Sequence, residues 1–183
     1  MLLALFWLQQ TKGKAAKNMV LLPYSDRLAL FGKYLQQLVM ESLGKEKDRS
    51  GAVVNQGITV LGNKGSTDQH SYIQQLREGP NDFFASFVKT TTTSSKLNIQ
   101  VKDDKTVSDY LDGFFMGTRK ALFDNKRESL SIFIPQVDEY YLCALIALYE
   151  RAVSFYASFV DVNAYDQPGV EAGKIAANEF IFG

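Results

Sequence analysis

Glu41 and Gln37 form the first group of side chains in this 183-residue sequence whose types and spacing suit acid–base chemistry. Glu41 lies near the end of a helical pattern, in QQLVMESLG, at the edge of an apolar stripe, and Gln37 is one turn earlier on the same side. A carboxylate on the rim of an apolar surface is a candidate general base. The alternative is an ordinary glutamate on a helix surface, although a negative charge near a helix C-terminus is mildly unfavourable.

His70 is the only histidine and lies in GNKGSTDQHSY, between an apolar run and a second helical pattern. An imidazole exchanges protons near neutral pH, as general acid–base catalysis requires. The GNKGST turn could offer backbone N–H groups to an anion, but no G-K-[ST] closes it, so the sequence does not indicate nucleotide binding. The alternative is a surface or capping histidine beside a tight turn, which the composition alone favours.

A third candidate group lies in NAYDQPGVEAGK. Pro168 suits the first turn of a helix, and Gln167 and Lys174 are two helical turns apart, so both project from one face. A lysine and an amide aimed into a cleft could hold hydroxyl groups or a phosphate. The alternative, which the residues alone favour, is a surface ion pair between Glu171 and Lys174, stabilising by about 0.3 kcal/mol.

The overall composition is typical of a globular domain with a buried core, since 46% of the residues are hydrophobic and 22% are charged. Twenty basic residues balance twenty acidic ones, which argues against nucleic acid or an anionic membrane as a partner. Cys143, the single cysteine, has apolar neighbours, so we expect a buried thiol and a reducing compartment. The initial MLLALFWL lacks the features of a signal peptide and is too short to span a bilayer, so it is predicted to be a core helix or strand.

Apolar strand-like segments alternate with helical patterns, which predicts an α/β fold with a mainly parallel sheet covered on both faces. The predicted strands are NMVLLP, stopped by Pro23, then GITVLG, FFASFVK and SLSIFIP. The predicted helices run from Arg27 to about Leu43 with Asp26 as N-cap, from Ser66 to Glu78, from Thr106 or Ser108 to about Phe123, from about Glu139 to Val160, and onward from Pro168. GAVVNQG is predicted to be a connector, and TTTTSSKLNIQVKDDKT an exposed loop or hairpin. Ligands of such sheets bind at the carboxyl ends of strands, and GNKGSTDQH lies at one strand-to-helix turn.

Three motifs in order, YLQQLVMESLGK, GNKGSTDQHSYIQQLREG and NAYDQPGVEAGK, resemble the glucose-6-phosphate isomerase (phosphoglucose isomerase) family, most closely its bacterial and plant branch. LPYSDRLALFGKYLQQLVMESLGK and TRKALFDNKRESLSI extend the resemblance to nearly the whole chain. It implies the C-terminal portion of that enzyme. The expected architecture is a three-layer αβα sandwich of the sugar isomerase domain type at residues 1–162, truncated at its start, with a C-terminal motif and partial helix at residues 163–183.

The resemblance also implies a reaction, the interconversion of glucose 6-phosphate and fructose 6-phosphate through ring opening and a cis-enediol. Glu41 matches the isomerisation base, and Lys174 matches a lysine that assists ring opening. His70 matches the ring-opening acid–base group, which in the family serves the neighbouring subunit of a homodimer. Gln37 and Gln167 match glutamines that contact the sugar phosphate. No cofactor or metal is implied, and the expected location is the cytoplasm, or the plastid for a plant parent enzyme.

Part of the family's machinery has no counterpart in this sequence. The family's main phosphate-binding serines and threonines belong to a first sugar isomerase domain, and an arginine that stabilises the enediolate also precedes the matched region. We therefore expect this chain alone to be inactive or nearly so. The alternatives are a non-catalytic sugar-phosphate-binding or regulatory module and a truncated product without a function of its own. Retention of Glu41, His70 and Lys174 argues against the binding module, which has no need for a base.

Overall fold

The computed structural model describes residues 1–92 and 99–182, and its centre is a parallel sheet. The strands are β1 (Asn18–Tyr24), β2 (Lys45–Lys47), β3 (Val53–Gln56), β4 (Val60–Gly62), β5 (Phe83–Thr90), β6 (Gln100–Lys102), β7 (Lys105–Thr106) and β8 (Ser129–Ile134). Four of them form the central sheet in the order β4-β1-β5-β8, and every neighbouring pair is parallel. The predicted α/β fold with a mainly parallel sheet is confirmed.

Helices cover both faces of this sheet. They are α1 (Leu2–Thr11), α2 (Phe31–Leu35), α3 (Gln69–Glu78), α4 (Val107–Asp124), α5 (Glu139–Phe159) and α6 (Pro168–Phe182). Met19 and Leu21 of β1 pack with residues of α1, α2 and α5, whereas Val20 and Leu22 pack with residues of α3 and α4. Because successive strand residues point to opposite faces, β1 is buried on both sides, which explains its continuous apolar run.

The N-terminal run MLLALFWL forms α1, and α5 holds it in the core. Trp7 is fully buried, with its ring 6.0 Å from that of Tyr149 and 6.2 Å from that of Tyr156. By length and mean hydropathy, α5 is the one helix within the described ranges that could cross a membrane. Core helices meet the same criterion, and α5 places these two tyrosines inside the core.

The segment from Asp26 to Leu43 is not the single helix that the sequence predicts. It forms a 3-10 turn at Asp26–Leu28, then α2, then a π-helix at Gln36–Glu41. The buried positions Phe31, Leu35, Val39 and Leu43 recur every four residues, which exceeds the about 3.6 residues of an α-helical turn. A π-helix has more residues per turn because its hydrogen bonds join residues i and i+5. This wider turn matches the four-residue spacing and keeps the apolar face in the core.

The structure differs from two of the predicted helix starts. Asp26 does not cap a helix, since its carboxylate forms an ion pair with Lys64. The second helix begins at Gln69 rather than at Ser66, because the preceding residues form a turn in which Ser66 has a left-handed φ of 64°. The predictions for α4, α5 and the start of α6 are confirmed, with Thr106 as the N-cap of α4.

Several connecting segments also differ from their predictions. GAVVNQG is not a plain connector, since it contains β3, which pairs antiparallel with β2. The first strand does not stop at Pro23, because proline lacks only an N–H and its carbonyl still accepts from Gly65. Cys143 is exposed rather than buried, because it lies on the outer side of α5.

The Thr-rich segment lies before α4, and the C-terminal helix α6 ends the described part of the chain. The segment predicted as an exposed loop or hairpin, residues 90–106, contains β6 and β7, which pair antiparallel, while its residues 93–98 lie outside the described residues. No residue of α6 is buried within the described range. The division of the chain into residues 1–162 and 163–183 stays a prediction.

Candidate functional site

Glu41 ends the π-helix and is half-buried. Single π-turns inside helices are frequent at functional sites, because the widened backbone re-aims the side chains that it carries. The Glu41 carbonyl oxygen accepts a hydrogen bond of 2.8 Å from Nζ of Lys45, which satisfies one of the free carbonyls at the helix end. Gln37, one turn earlier, is exposed. The structure therefore leaves both side chains accessible while the backbone of Glu41 is fixed.

Lys45 joins this helix end to the segment that precedes α6. It is only 7% exposed, and burial lowers the pKa of its ammonium group, opposed by the negative charges of Asp166 and Glu41. A cavity of about 640 Å³ lies between residues 45–49 and the segment that contains Asp166 and Pro168. The MESLGK and DQPG motifs, far apart in the sequence, thus meet around one buried cation.

Lys45 was not among the residues predicted from the sequence, although a usable signal was present. A lysine directly after a glycine that ends a helix is well placed to bond the last helical carbonyls. Gly44 ends this helical segment with its N–H bonded to the carbonyl of Met40 at 2.9 Å. Its proximity to Asp166 could not be predicted, because the two residues are more than a hundred positions apart in the sequence.

The Glu41 segment is held against β4 by a glycine pair and an amide. A Cβ atom built on Gly32 would lie 2.9 Å from the Cα of Gly62, so larger side chains do not fit this contact. The side-chain amide of Gln36 donates to the carbonyl of Val60 at 3.1 Å. These contacts lay the segment along β4: Gly32 of α2 meets the last residue of the strand, and Gln36 of the π-helix meets its first residue.

His70 is the second residue of α3 and is exposed. Its turn is fastened to the end of β1, because the N–H of Gly65 donates to the carbonyl of Pro23 at 2.9 Å and that of Asn63 to Leu21 at 3.1 Å. The backbone N–H of Lys64 donates to Oδ2 of Asp68 at 2.6 Å, which closes the turn. The predicted position at a strand-to-helix turn beside the carboxyl ends of parallel strands is confirmed.

Gln167 and Lys174 start and line the C-terminal helix. Gln167 is half-buried, and its carbonyl accepts from the N–H of Val170 at 3.1 Å. Lys174 is exposed and pairs with Glu171 at 2.7 Å, so the surface ion pair expected as the alternative is present. Among the described contacts, none joins Lys174 to Glu41 or His70. The structure brings Gln167 near the Lys45 cavity, but it leaves Lys174 on a solvated face.

Sequence comparison decides the family. A family model described as phosphoglucose isomerase matches residues 1–116 and 114–181 of this chain. The chain belongs to the phosphoglucose isomerase family. Its relatives include a glucose-6-phosphate isomerase from Geotalea daltonii, 58% identical over 176 residues, and one from Nostoc punctiforme, 60% identical over 180 residues. These alignments cover 96% and 98% of this chain but only 33% and 34% of the relatives, so the chain spans about a third of their length.

Solved structures similar to this chain support its fold. A crystal structure of a glucose-6-phosphate isomerase from Chlamydia trachomatis superposes with a TM-score of 0.85 at 26% identity, covering 98% of this chain and 37% of that one. A hypothetical protein from Thermus thermophilus gives a TM-score of 0.87 at 30% identity, covering 98% and 44%. In residues 1–92 and 99–182, no group of three or more His, Cys, Asp or Glu side chains is arranged to hold a metal ion.

Proposed function

We propose that this chain supplies part of the active site of an aldose–ketose isomerase that interconverts glucose 6-phosphate and fructose 6-phosphate. The observation that carries the proposal is the identity of 57–60% to proteins named glucose-6-phosphate isomerase over 96–98% of the chain. The accessible positions of Glu41 and His70 support it, because both side chains can reach a ligand. We expect the protein to work in the cytoplasm.

In this proposal Glu41 moves the proton between the two carbons that exchange oxidation state. Its carboxylate takes the proton from C2 of the open-chain aldose, and protonation of O1 gives the cis-enediol; Glu41 then returns its proton to C1 as O2 loses its own, which gives the ketose. The fixed Glu41 backbone limits the positions that the carboxylate can sample, which suits transfer between neighbouring atoms. Gln37 and Gln167 would contact the sugar phosphate from the two motifs that flank Lys45.

His70 and Lys174 would act in the opening and closing of the sugar ring. Ring opening needs one group to protonate the ring oxygen and another to remove the proton from the C1 hydroxyl. Lys174 must first leave Glu171, and an exposed pair of this kind contributes only about 0.3–0.5 kcal/mol. His70 would serve the site of a second subunit in a homodimer, and the phosphate cradle would come from residues that this chain does not contain.

The test is a chimera in which this chain replaces the matching segment of the Nostoc punctiforme relative, 60% identical over 180 residues. We expect the chimera to isomerise glucose 6-phosphate in a coupled assay, and the 183-residue chain alone to turn over little or none. Glu41→Gln in the chimera should lower kcat by about 10²- to 10⁴-fold, the usual contribution of a general base. Glu78→Gln, an exposed glutamate of α3, is the matched control and should leave kcat unchanged.

An inactive chimera that folds and assembles like its parent, or full activity of Glu41→Gln, would refute this role. Binding of glucose 6-phosphate to the isolated chain, unaffected by Glu41→Gln and without turnover in the chimera, would support the binding-module alternative. Isothermal titration of the isolated chain and the coupled assay of the chimera therefore separate the two functions.

A further inference from the structure

A buried polar cluster joins β1, α3 and α4 immediately beside His70. Thr118 of α4 is 5% exposed, and its hydroxyl oxygen accepts hydrogen bonds from the hydroxyl of Tyr24, at 3.2 Å, and from the side-chain amide of Gln69. Tyr24 ends β1, and Gln69 is the first residue of α3. One hydroxyl therefore connects three elements that also share an apolar core on this face of the sheet. We name Tyr24, Gln69 and Thr118 the hydroxyl cluster.

Packing fixes the tyrosine of this cluster. Tyr24 is 1% exposed, its ring lies edge-on to that of Phe115 at 5.3 Å, and the ring of Phe87 is 6.2 Å away. Gly65 also lies against the ring, at a distance that leaves no room for a Cβ atom. Burial raises the pKa of Tyr24, opposed by hydrogen bonds with Thr118, Gln69 and the backbone of Ser66. The tyrosine hydroxyl stays protonated at neutral pH and so remains a donor to Thr118.

The imidazole of His70 has no such support of its own. It is exposed, and within the described residues no hydrogen bond reaches its ring nitrogens. Its position therefore depends on the backbone of the first turn of α3. The side chain of Gln69, one residue earlier, attaches that turn to α4 through Thr118. A groove of about 430 Å³ between α3 and α4 is lined by residues that include both His70 and Thr118.

We propose that Thr118, Tyr24 and Gln69 are positioning residues for His70. This proposal rests on the proposed acid–base role of His70. A proton-transfer group must lie within hydrogen-bond reach of its substrate atom, and a shift of about 1 Å lowers the rate strongly. The hydroxyl cluster fixes the start of α3 from two sides, the end of β1 and the middle of α4, and leaves the imidazole free to meet a ligand.

The same contacts would be seen if the cluster only stabilised the fold, so the test needs a readout at His70. His70 is the single histidine of the chain, and its imidazole Cε1–H gives one NMR signal that needs no assignment. Thr118→Val keeps the side-chain shape and removes the shared acceptor. We expect the His70 signal to broaden or split, and amide exchange at Gln69–Ser71 to rise about five- to tenfold, as loss of one hydrogen bond implies.

Two further variants make the result specific. Thr118→Ser keeps the hydroxyl and should restore the parent His70 signal. Thr11→Val removes an equally buried hydroxyl, 0% exposed and bonded to Tyr156 at 2.8 Å, on the opposite face of the sheet. It should lower the overall stability while leaving the His70 signal unchanged. If Thr118→Val fails to fold, Gln69→Leu removes the attachment of the turn alone and should produce the same change at His70.

In the chimera, Thr118→Val should lower kcat at least tenfold, with a smaller change in KM, because a misplaced proton-transfer group affects the chemical step. An unchanged His70 signal in Thr118→Val or Gln69→Leu would overturn the proposal, as would an equal change in Thr11→Val. A chimera without isomerase activity would refute the proposed function instead. The His70 signal of the isolated chain would still show whether the cluster positions the imidazole.

Discussion

Close contact with a tyrosine ring restricts residue 65 to glycine. The turn that carries His70 crosses the end of β1 at Gly65, where the backbone lies directly on the Tyr24 ring. The ring cannot retreat, because Phe87 and Phe115 pack on its other sides. Any side chain at residue 65 must therefore displace either the turn or the tyrosine.

Gly65→Ala tests this contact. We expect it to destabilise the chain by about 1–3 kcal/mol, the usual cost of overpacking a closely packed contact, and to perturb the His70 NMR signal. Urea unfolding followed by circular dichroism measures the change in free energy. Gly113→Ala is the matched control, because a Cβ there meets nothing within 4 Å and α4 should gain about 0.5–1 kcal/mol from the better helix former. If Gly65→Ala is as stable as the parent, the Gly65 backbone does not lie as close to the Tyr24 ring as the structure shows.

Individual residues also show what the sequence could and could not predict. The motifs identified Glu41, His70 and Gln167 as candidates, because their chemistry and local spacing lie within short stretches of chain. The electrostatic contact of Lys45 with Asp166 and the bond of Thr118 with Tyr24 involve partners far away in sequence. The apolar neighbours of Cys143 gave a wrong prediction, because a helix rich in apolar residues on all sides does not reveal which side faces the core.

Among the elements, α4 has the clearest start signal, and its prediction was correct. The hydroxyl of Thr106 accepts from the N–H of Asp109 at 3.4 Å, and the Asp109 carboxylate accepts from the N–H of Thr106 at 2.8 Å. This reciprocal capping box lies within four consecutive residues, so the sequence alone carries it. The helical segment after β1 gave no comparable signal, because its π-helix depends on tertiary packing against β4.

Thr106→Ala should destabilise the chain by about 1 kcal/mol at pH 7, the usual cost of a lost N-cap. Hydrogen bonds from the backbone and then the side chain of Thr106 lower the pKa of Asp109. A carboxyl whose pKa is lower in the folded state stabilises it above about pH 4, and this contribution is lost as the pH falls through the folded pKa. The difference in the free energy of unfolding between the parent and Thr106→Ala should therefore be smaller at pH 3 than at pH 7.

Urea unfolding at pH 7 and at pH 3 measures the difference in the free energy of unfolding between the parent and Thr106→Ala. Ser158→Ala serves as the control, because the Ser158 hydroxyl bonds a carbonyl inside α5 and caps nothing. Its stability should match or slightly exceed that of the parent at both pH values, since alanine is the better helix former. If the difference in unfolding free energy between the parent and Thr106→Ala stays constant with pH, the pKa of Asp109 does not depend on the Thr106 side chain.

At the scale of the whole molecule, two apolar cores lie on opposite faces of one sheet, and each contains a buried hydroxyl pair. Ser86 of β5 and Tyr149 of α5 bond at 3.1 Å on the first face, and Tyr24 and Thr118 bond at 3.2 Å on the second. A buried hydrogen-bonded pair destabilises the fold little while both partners are present, but removing one partner leaves the other unsatisfied and destabilises the fold strongly. They fix which helix meets which strand, a pairing that apolar periodicity alone leaves open.

We expect Tyr149 to lower the stability of the whole chain as the pH rises into the alkaline range. Burial raises the pKa of Tyr149 to about 12, opposed by its hydrogen bond with Ser86. The unfolded chain loses this proton near pH 10, so between about pH 10 and 12 the folded state binds one more proton than the unfolded state. The free energy of unfolding should then fall by about 1.4 kcal/mol per pH unit from this group alone.

Tyr149→Phe removes that dependence. At pH 8 the variant should be less stable than the parent by about 1 kcal/mol, because the Ser86 hydroxyl is left buried without its partner. As the pH rises above 10, the parent should lose stability more steeply, so the two urea-unfolding curves should converge and then cross. Tyr140→Phe, at a tyrosine that is 74% exposed, should follow the parent throughout. Parallel curves for the parent and Tyr149→Phe would mean that water reaches Tyr149, and that α5 does not seal this core against the sheet.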